Sequence, residues 1–344
     1  MKQILIKAAL IITLAILLNL FLYSAIYTRL LPYSWGSNEL LDKREFLRRN
    51  AAKYNSLFIG SSKTHNQIHP QIFDEKAREN GLDIRSYNCG VGGLTPLESL
   101  HIYENLLLHD SLSFKYVFIE LDWIATIKVE NLNSVRSFYW LTPRNYNFSI
   151  SSILNSTVPI MRSAWGLFHY SLNYGENLMN IGKVHEYFKY KNFVANQKFL
   201  PSDSNIMYNG YIPMSHKMNS TEYSLYSEVV GSARLAVRNY PDLVDQHLSQ
   251  PYLDRLQHII SISKQRGIIT FFIVPLQWKY YQYEQLIPII NKIKGARTIC
   301  LFDIDRYANI YQVDNFADPN HLNEKGAKLY TEEIFNQFLK LYGK

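Results

Sequence analysis

The N-terminal apolar segment is the feature that most limits what this chain can form. Residues 4–27 are almost wholly apolar, and no charged residue lies between Ala8 and Tyr23. About 20 such residues suffice to cross the hydrocarbon core of a bilayer as a helix, provided that the Lys7 ammonium reaches the interface. The segment is long for a secretion signal and no small-residue cleavage site follows it, so we expect an uncleaved membrane anchor.

Positive charge flanks this segment on both sides. Lys2 and Lys7 lie at its N-terminal end, whereas Arg29 and four basic residues between positions 43 and 49 follow it. Because Lys and Arg favour the cytoplasmic side, the charge pattern alone does not decide the orientation. We expect a single-pass cell-membrane protein whose body lies on the extracytoplasmic side.

Short apolar runs alternate with amphipathic segments in the rest of the chain. Runs rich in β-branched and aromatic residues predict five strands, at 56–60, 84–88, 115–121, 268–275 and 298–302. Helical periodicity predicts helices at 98–108, 252–266 and 323–341, and a charged helical stalk near 38–53. This alternation predicts an α/β fold with a central parallel sheet covered on both faces.

The alternation stops between about residues 126 and 245. This stretch is polar and tyrosine-rich, and a structureless loop of that length is not compatible with a compact domain. We therefore expect a large, mostly helical insertion after the third strand. It would lie beside the carboxyl ends of the strands, where open α/β sheets bind their ligands.

A serine follows the first predicted strand directly. Phe58 to Ser62 read FIGSS, so the Ser62 hydroxyl would lie at the edge of the sheet, where a helix N-terminus and free backbone N–H groups can stabilise an oxyanion. Taken alone, this serine fits a helix cap better than a nucleophile. Near the C-terminus, Asp318 stands three residues before His321, a spacing that can place an acceptor beside an imidazole base. The combination predicts a Ser62–His321–Asp318 triad.

These motifs resemble the SGNH, or GDSL-like, hydrolase superfamily. Gly60–Ser62 resembles its first sequence block, Asn88–Gly93 its second and Asp318–Asn323 its last. The resemblance covers 56–125 and 252–341. It implies a three-layer flavodoxin-like SGNH fold and an oxyanion hole formed by the backbone N–H groups of Ser62 and Gly93. It divides the chain into an anchor at 4–27, a stalk at 28–54 and an SGNH-like domain at 55–344 that contains the insertion.

The third sequence block departs from that family. Its members usually carry Gly-x-Asn-Asp after the third strand, and the Asn donates to the oxyanion, whereas this chain has Glu120–Ile124 without an Asn. The departure is similar to a membrane-anchored branch that includes the D protein of lipoteichoic-acid D-alanylation and alginate-acetylation proteins. Losing one oxyanion donor weakens transition-state binding by about 3 kcal/mol unless another donor replaces it. Asp122 and Trp123 are candidates for a substrate groove, or else for packing at the strand end.

The resemblance and the anchor favour a serine O-acyltransferase or acylesterase acting on a cell-surface polysaccharide or another acylated glycan. A membrane-bound O-acyltransferase partner is implied by the relatives. Two alternatives remain, a non-catalytic polysaccharide-binding or assembly component of an acylation machinery, and a lipid esterase. The lipid esterase is least favoured because the insertion is rich in Tyr, Asn and Ser rather than in apolar residues.

Other functional classes find little support. The net charge is +7, but the basic residues are scattered, so we expect contact with the bilayer and not with nucleic acid. No compact metal-ligand motif occurs, and we expect neither a metal nor a cofactor. Cys89 and Cys300 form no redox pair, and we expect two buried thiols, although an extracytoplasmic disulfide stays open. His65 and His69 compete with His321 as the base, but a histidine on the helix of its own nucleophile seldom has the required geometry.

Overall fold

The computed structural model describes residues 2–29, 38–104, 113–124, 131–134, 136–156, 158–179, 208–216 and 218–342. The chain divides into two compact units. One contains Met1–Leu41 and Ala125–Leu200, and the other contains Asp42–Ile124 and Pro201–Lys344. The second unit carries the sheet and every candidate site residue.

A five-stranded parallel sheet forms the centre of the second unit. Its strands are β1 Ser56–Ile59, β2 Ser86–Asn88, β3 Tyr116–Glu120, β4 Ile269–Val274 and β5 Arg297–Cys300. They lie in the order β2-β1-β3-β4-β5, and each neighbouring pair is parallel. From β1 the chain goes outward to β2 and then crosses back to β3, so the order reverses between β1 and β3. In open α/β sheets, ligands bind beyond the carboxyl ends of the strands at such a reversal.

Helices account for most of the other described residues. They are α1 Lys2–Arg29, α2 Asn38–Arg49, α3 Ser62–Gln67, α4 Pro70–Glu79, α5 Pro96–Ile102, α6 Ser137–Trp140, α7 Pro143–Leu154, α8 Ile160–Leu178, α9 Ser220–Arg238, α10 Tyr240–Leu243, α11 Gln250–Gln265, α12 Tyr280–Lys292 and α13 Glu324–Tyr342. Two short strands, β6 Phe316–Asp318 and β7 His321–Leu322, form a separate antiparallel pair before α13.

A row of aromatic rings forms one side of the core. Phe58, Phe118 and Phe271 occupy paired positions on adjacent strands and stack with centroid distances of 4.6 and 4.9 Å. Phe73 of α4 and Phe338 of α13 pack against this row. Successive residues of the inner strands are also buried, and since they point to opposite faces, the sheet is covered on both. The α/β architecture predicted from the sequence is confirmed.

The first unit contains α1 and the helices α6, α7 and α8. Within α1, Lys2–Phe21 is long and apolar enough to cross a membrane, with a mean hydropathy of 2.5 and no part buried. It is the one such helix among the described residues. Asn19 of α1 donates to the sulfur of Met179, at the end of α8.

The predicted elements correspond closely to those observed in the second unit. Each of the five predicted strands is present within a few residues, and the helices at 252–266 and 323–341 become α11 and α13. Helix α5 ends at Ile102, and the remainder of the predicted helix, 105–108, lies outside the described residues. Much of the predicted insertion, including 180–207, also lies outside them, and its described parts form α6 to α10. Cys89 and Cys300 are both free, the first buried and the second half-buried.

Candidate active site

The turn between β1 and α3 exposes Ser62 at the edge of the sheet. Strand β1 ends at Ile59, and α3 begins at Ser62 with Ser61 as its N-cap. A Cβ atom on Gly60 would clash with the Thr64 hydroxyl and the Glu120 carboxylate, so only glycine allows β3 and α3 to approach this closely. The motif FIGSS therefore forms the strand–turn–helix arrangement that the sequence predicts.

Ser62 lies at one end of a hydrogen-bonded chain of three side chains. Its Oγ is 2.8 Å from His321 Nε2, and His321 Nδ1 is 2.8 Å from Asp318 Oδ2. The other carboxylate oxygen, Oδ1, is 3.0 Å from the same ring nitrogen. All three residues are half-buried. The structure thus brings together Ser62, Asp318 and His321 in the order that general-base activation of a serine requires.

The hairpin of β6 and β7 fixes the relation between Asp318 and His321. These two residues are paired across the antiparallel ladder, and Asp318 Oδ1 accepts hydrogen bonds from the backbone N–H groups of Asn320 (2.8 Å) and His321 (3.0 Å). Burial raises the pKa of Asp318, but the hydrogen bonds and charge of His321, together with these backbone donors, outweigh it and leave the pKa below its usual value. Asp318 is therefore ionised at neutral pH and available to orient the imidazole.

Hydrogen bonds hold this hairpin against α3. Gln67, at the end of α3, donates to the carbonyl oxygen of Asn320 at 3.0 Å. The Thr331 hydroxyl of α13 contacts the carbonyl oxygen of Gln67 at 3.2 Å and accepts from the backbone N–H of His69 at 3.0 Å. These contacts connect the helix that carries the serine to the turn that carries the histidine.

Glu120, at the end of β3, binds the N-terminus of α3. Its carboxylate accepts from the backbone N–H groups of Ser61 and Thr64, both at 3.0 Å, and from their hydroxyls at 2.5 and 2.6 Å. Burial is the main influence on this carboxyl, and with the negative charge of Asp122 it raises the pKa of Glu120, which Lys63 and the hydrogen bonds lower only in part. The residue that stands near the missing Asn thus positions the serine turn.

This capping leaves one donor of the first turn of α3 unused. Glu120 accepts from Ser61 and Thr64, and the Ser61 hydroxyl accepts from the Lys63 N–H at 3.3 Å. Within the described part of the chain, the N–H of Ser62 has no acceptor. An N–H group without an acceptor beside a serine hydroxyl is the kind of donor that an oxyanion hole requires.

The loop after β2 lies beside the same turn. Its Val91 N–H donates to the carbonyl oxygen of Gly60 at 3.1 Å, and Cys89 donates to Phe58 at 2.8 Å. Gly93 follows in this loop, is exposed and has a φ of 68°, a left-handed conformation that favours glycine. Its role as an oxyanion donor stays a prediction.

A buried lysine fastens this loop to two other segments. Lys43 of α2 is 1% exposed, and its Nζ donates to the carbonyl oxygens of Asn88 (3.2 Å), Gly90 (2.5 Å) and Gly210 (2.7 Å). The helix that the sequence predicts as a stalk thus helps to fix the second sequence block. Lys43 is a structural residue of the site that its pattern in the sequence did not indicate.

Asp122 and Trp123 lie just beyond the end of β3. Asp122 Oδ2 pairs with Lys63 Nζ at 3.2 Å, and Lys63 also donates to the carbonyl oxygen of Leu276 at 2.8 Å. The Trp123 ring meets Tyr281 edge-on, with centroids 5.3 Å apart. Because Lys63 follows Ser62 directly, Asp122 is connected to the serine turn. Its role, and that of Trp123, in a substrate groove stays a prediction.

The competing histidines occupy other positions. His65 is buried within α3, and His69 lies half-buried against Tyr211, with ring centroids 4.6 Å apart. The ring hydrogen-bonded to Ser62 is that of His321. Among the described residues, no group of three or more His, Cys, Asp or Glu side chains is arranged to hold a metal ion.

The sequence matches no protein-family model and no curated protein at a significant level. A function for this chain therefore has to be inferred from its own residues.

Sequence reasoning missed Glu120, Gln67 and Lys43 as parts of the site. Only Glu120 carried a usable signal, since a carboxylate at the end of an otherwise apolar strand has to find partners when it is buried.

Proposed function

We propose that this protein is a membrane-anchored serine O-acyltransferase or acylesterase that modifies a cell-surface polysaccharide through an acyl-serine intermediate. The observation that carries the proposal is the hydrogen-bonded chain from Ser62 Oγ through His321 to Asp318. The N–H of Ser62, which has no acceptor among the described residues, is compatible with the proposal, because an oxyanion hole needs a donor beside the nucleophile.

In the first half-reaction, Ser62 Oγ attacks the carbonyl carbon of an acyl donor while His321 Nε2 takes the hydroxyl proton. Asp318 stabilises the imidazolium that forms and keeps the Nδ1 proton in place. The backbone N–H groups of Ser62 and Gly93 bind the oxyanion of the tetrahedral intermediate. The intermediate then collapses, His321 returns its proton to the leaving oxygen, and the acyl group stays on Ser62.

In the second half-reaction, a hydroxyl group replaces the leaving group. A sugar hydroxyl loses its proton to His321 and attacks the acyl carbon. The bond between the acyl carbon and Ser62 Oγ then breaks, and His321 returns the proton to Oγ, which gives an O-acylated glycan and free Ser62. Water in the same position gives hydrolysis. A single site can therefore perform either reaction, and the outcome depends on which acceptor reaches the acyl-serine.

The fold and the anchor are consistent with the SGNH resemblance. The strand order β2-β1-β3-β4-β5 is that of flavodoxin-like sheets, and Ser62 lies at its β1/β3 reversal, where such sheets bind ligands. The apolar α1 is compatible with the membrane-anchored, polymer-modifying branch. The resemblance to that branch, and not the helix itself, is the reason for placing the body outside the cytoplasm. That branch also implies a membrane-bound O-acyltransferase as the partner that supplies acyl groups.

The proposal is tested by trapping the acyl-serine. Full-length protein in detergent is incubated with p-nitrophenyl acetate, quenched with acid and examined by intact mass, with peptide mapping of the modified residue. We expect one added acetyl group on Ser62 and none in the Ser62→Ala variant.

Ser61→Ala is the matched control, because Ser61 is the adjacent hydroxyl but its Oγ donates to Glu120 instead of His321. It should still be acylated on Ser62. If folded wild-type protein acquires no acyl group with acetyl, butyryl or longer esters, the catalytic proposal fails. The non-catalytic binding or assembly role would then be favoured.

A further inference from the structure

Helix α8 buries its polar side and exposes its apolar side. Tyr170, Asn173 and Asn177 lie on the buried side together with Gly166. The opposite side carries large apolar residues that are 46–79% exposed, namely Met161, Trp165, Phe168, Leu172 and Met179. Their spacing of four, three, four and seven residues places them in one narrow stripe, about 27 Å long at 1.5 Å per residue. We call these five residues the α8 stripe.

The contacts of the polar side fix the rotation of the helix. Asn177 donates to the carbonyl oxygen of Ser137 at 3.1 Å, and Asn173 donates to Asn133 at 3.2 Å. Tyr146 of α7 stacks on Tyr174 with centroids 4.3 Å apart. Turning the stripe inward would break these hydrogen bonds, so the apolar side is held outward. Water is a poor environment for such a surface, since monomeric soluble proteins seldom expose a continuous apolar strip.

The C-terminal end of the α8 stripe lies beside α1, the apolar N-terminal helix, which points to lipid as the environment of the stripe. Asn19 Nδ2 of α1 lies 3.6 Å from Met179 Sδ, at the C-terminal end of the stripe. Asn19 lies in the C-terminal part of the apolar segment 4–27, about 12 Å before its end at Tyr27, and this depth corresponds to the acyl chains below the headgroups if the segment spans the bilayer. The C-terminal end of the stripe thus lies beside α1 at the depth of these acyl chains. Both helices belong to the same compact unit.

We propose that α8 lies in the membrane interface, with the α8 stripe immersed among the upper acyl chains. The stripe contains no charged residue, and Trp165 is an amphipathic ring of the kind that membrane interfaces favour. Arg162 and Glu176, the charged residues of α8, lie off the stripe and can face the headgroups. This inference rests on the proposed membrane anchoring but not on the proposed chemistry.

Fluorescence in vesicles tests the position of α8. Full-length protein carrying Cys300→Ala and Phe168→Cys is labelled with an NBD fluorophore and reconstituted into phosphatidylcholine–phosphatidylglycerol vesicles. We expect the NBD emission to be blue-shifted relative to a label in water. In vesicles whose lipids are brominated on the acyl chains, the emission should be severalfold weaker than in vesicles without bromine. The matched control carries the label at Glu79→Cys, an exposed position on α4, and should show neither effect.

Native fluorescence provides a second measurement with little change to the protein. The Trp165→Phe variant should reduce the part of the tryptophan emission that brominated lipids quench. Met161→Ser with Leu172→Ser should weaken quenching of Trp165, because these changes remove neighbouring apolar side chains from the stripe.

A label at Leu14→Cys in α1 separates the two proposals. Quenching at position 14 without quenching at position 168 would overturn the α8 inference and leave the anchor intact, whereas quenching at neither would overturn both. Disulfide crosslinking between two copies at Phe168→Cys, with emission insensitive to bromine, would assign the stripe to a second copy and also overturn the inference.

Discussion

At the scale of single residues, the pairing of Asp318 with His321 determines which ring nitrogen carries a proton. The carboxylate is held by two backbone donors besides the imidazole, so it cannot turn away from Nδ1 without losing hydrogen bonds. Its lowered pKa keeps it charged at neutral pH. With the proton fixed on Nδ1, the Nε2 lone pair faces the hydroxyl of Ser62.

Replacing Asp318 with Asn tests this assignment. The amide can donate to Nδ1 and would hold the imidazole in the tautomer that cannot accept the Ser62 proton. We expect the rate of p-nitrophenyl acetate turnover to fall on the order of 10⁴-fold, as in other serine triads, with little change in fold. Asp314→Asn, an exposed carboxylate in the preceding turn, is the control and should retain activity. A loss of less than tenfold would show that Asp318 does not orient the base.

The three hydrogen-bonded residues Ser62, His321 and Asp318 could be predicted because each lies in a short local motif. Ser62 follows a buried strand and a glycine, and Asp318 and His321 are three positions apart in one turn. Lys43 could not be predicted in the same way. Its three acceptors lie 45 to 167 positions away along the chain, and nothing in the sequence of α2 distinguishes it from its exposed basic neighbours.

At the scale of elements, β3 and α3 are joined through the Glu120 carboxylate. This buried acid replaces water as the acceptor for two N–H groups at the start of α3. Its raised pKa means that ionisation is less favourable in the folded chain than in the unfolded one. Glu120 therefore destabilises the fold as the pH rises. The loss begins near 4.5, the ordinary pKa of a glutamate in the unfolded chain, and grows until the pH passes the raised pKa of the folded chain.

Glu120→Gln removes that titration while keeping one acceptor oxygen. We expect the stability of the Gln variant relative to wild type to increase as the pH is raised above about 4.5, measured by thermal unfolding in detergent across a pH series. Glu120→Ala should instead lose about 1–3 kcal/mol, because the N–H groups of Ser61 and Thr64 lose their acceptor. Glu79→Gln, on an exposed side chain, controls for charge. A pH-independent difference between Glu120→Gln and wild type would contradict the assignment.

Lys43 links α2 to the loop after β2 and to Gly210. Lys43→Met keeps the apolar stem but leaves three carbonyl oxygens without this donor, and we expect a loss of about 3 kcal/mol in the free energy of unfolding. Urea unfolding in detergent measures the change. Arg48→Met on the same helix removes only a surface pair with Glu45 and should change stability by less than about 0.5 kcal/mol. Equal effects of the two substitutions would contradict a role for Lys43 in fixing the loop.

Element prediction succeeded where a single local signal dominates. The buried strands consist of β-branched and aromatic residues, and their type is evident without tertiary contacts. Helix α12 was missed because Pro288 stands inside it, which breaks the helical signal. The strands β6 and β7 have three and two residues, too short for any periodicity, and only the turn between them was predicted.

At the scale of the whole molecule, the N-terminal segment Met1–Leu41 and the distant segment Ala125–Leu200 form one compact unit. Local sequence patterns do not predict this association, because it depends on contacts between residues far apart in the chain, such as Asn19 and Met179. Hydrophobic periodicity is a poor guide for α8, since the side that periodicity assigns to the core is the exposed one. Inverted helices of this kind are expected where lipid replaces water as the solvent.

The anchoring role of α1 can be tested with one substitution at the middle of its apolar segment. Ile12 is 59% exposed, so its replacement disturbs few protein contacts. Arginine there should oppose insertion by roughly 2.5–3.5 kcal/mol, because a guanidinium near the bilayer centre has to reach water through the lipid. We expect Ile12→Arg to shift the protein from the pellet to the soluble fraction after alkaline carbonate extraction of membranes.

Ile12→Leu, which keeps the apolar character, should remain in the pellet like wild type. If Ile12→Arg also remains there, α1 does not cross the bilayer on its own, and contacts elsewhere hold the protein to the membrane. The α8 stripe is then the first surface to examine, and the same extraction applied to Ile12→Arg combined with Met161→Ser and Leu172→Ser would identify it. Release of the combined variant alone would make α8, rather than α1, the main attachment of the chain to lipid.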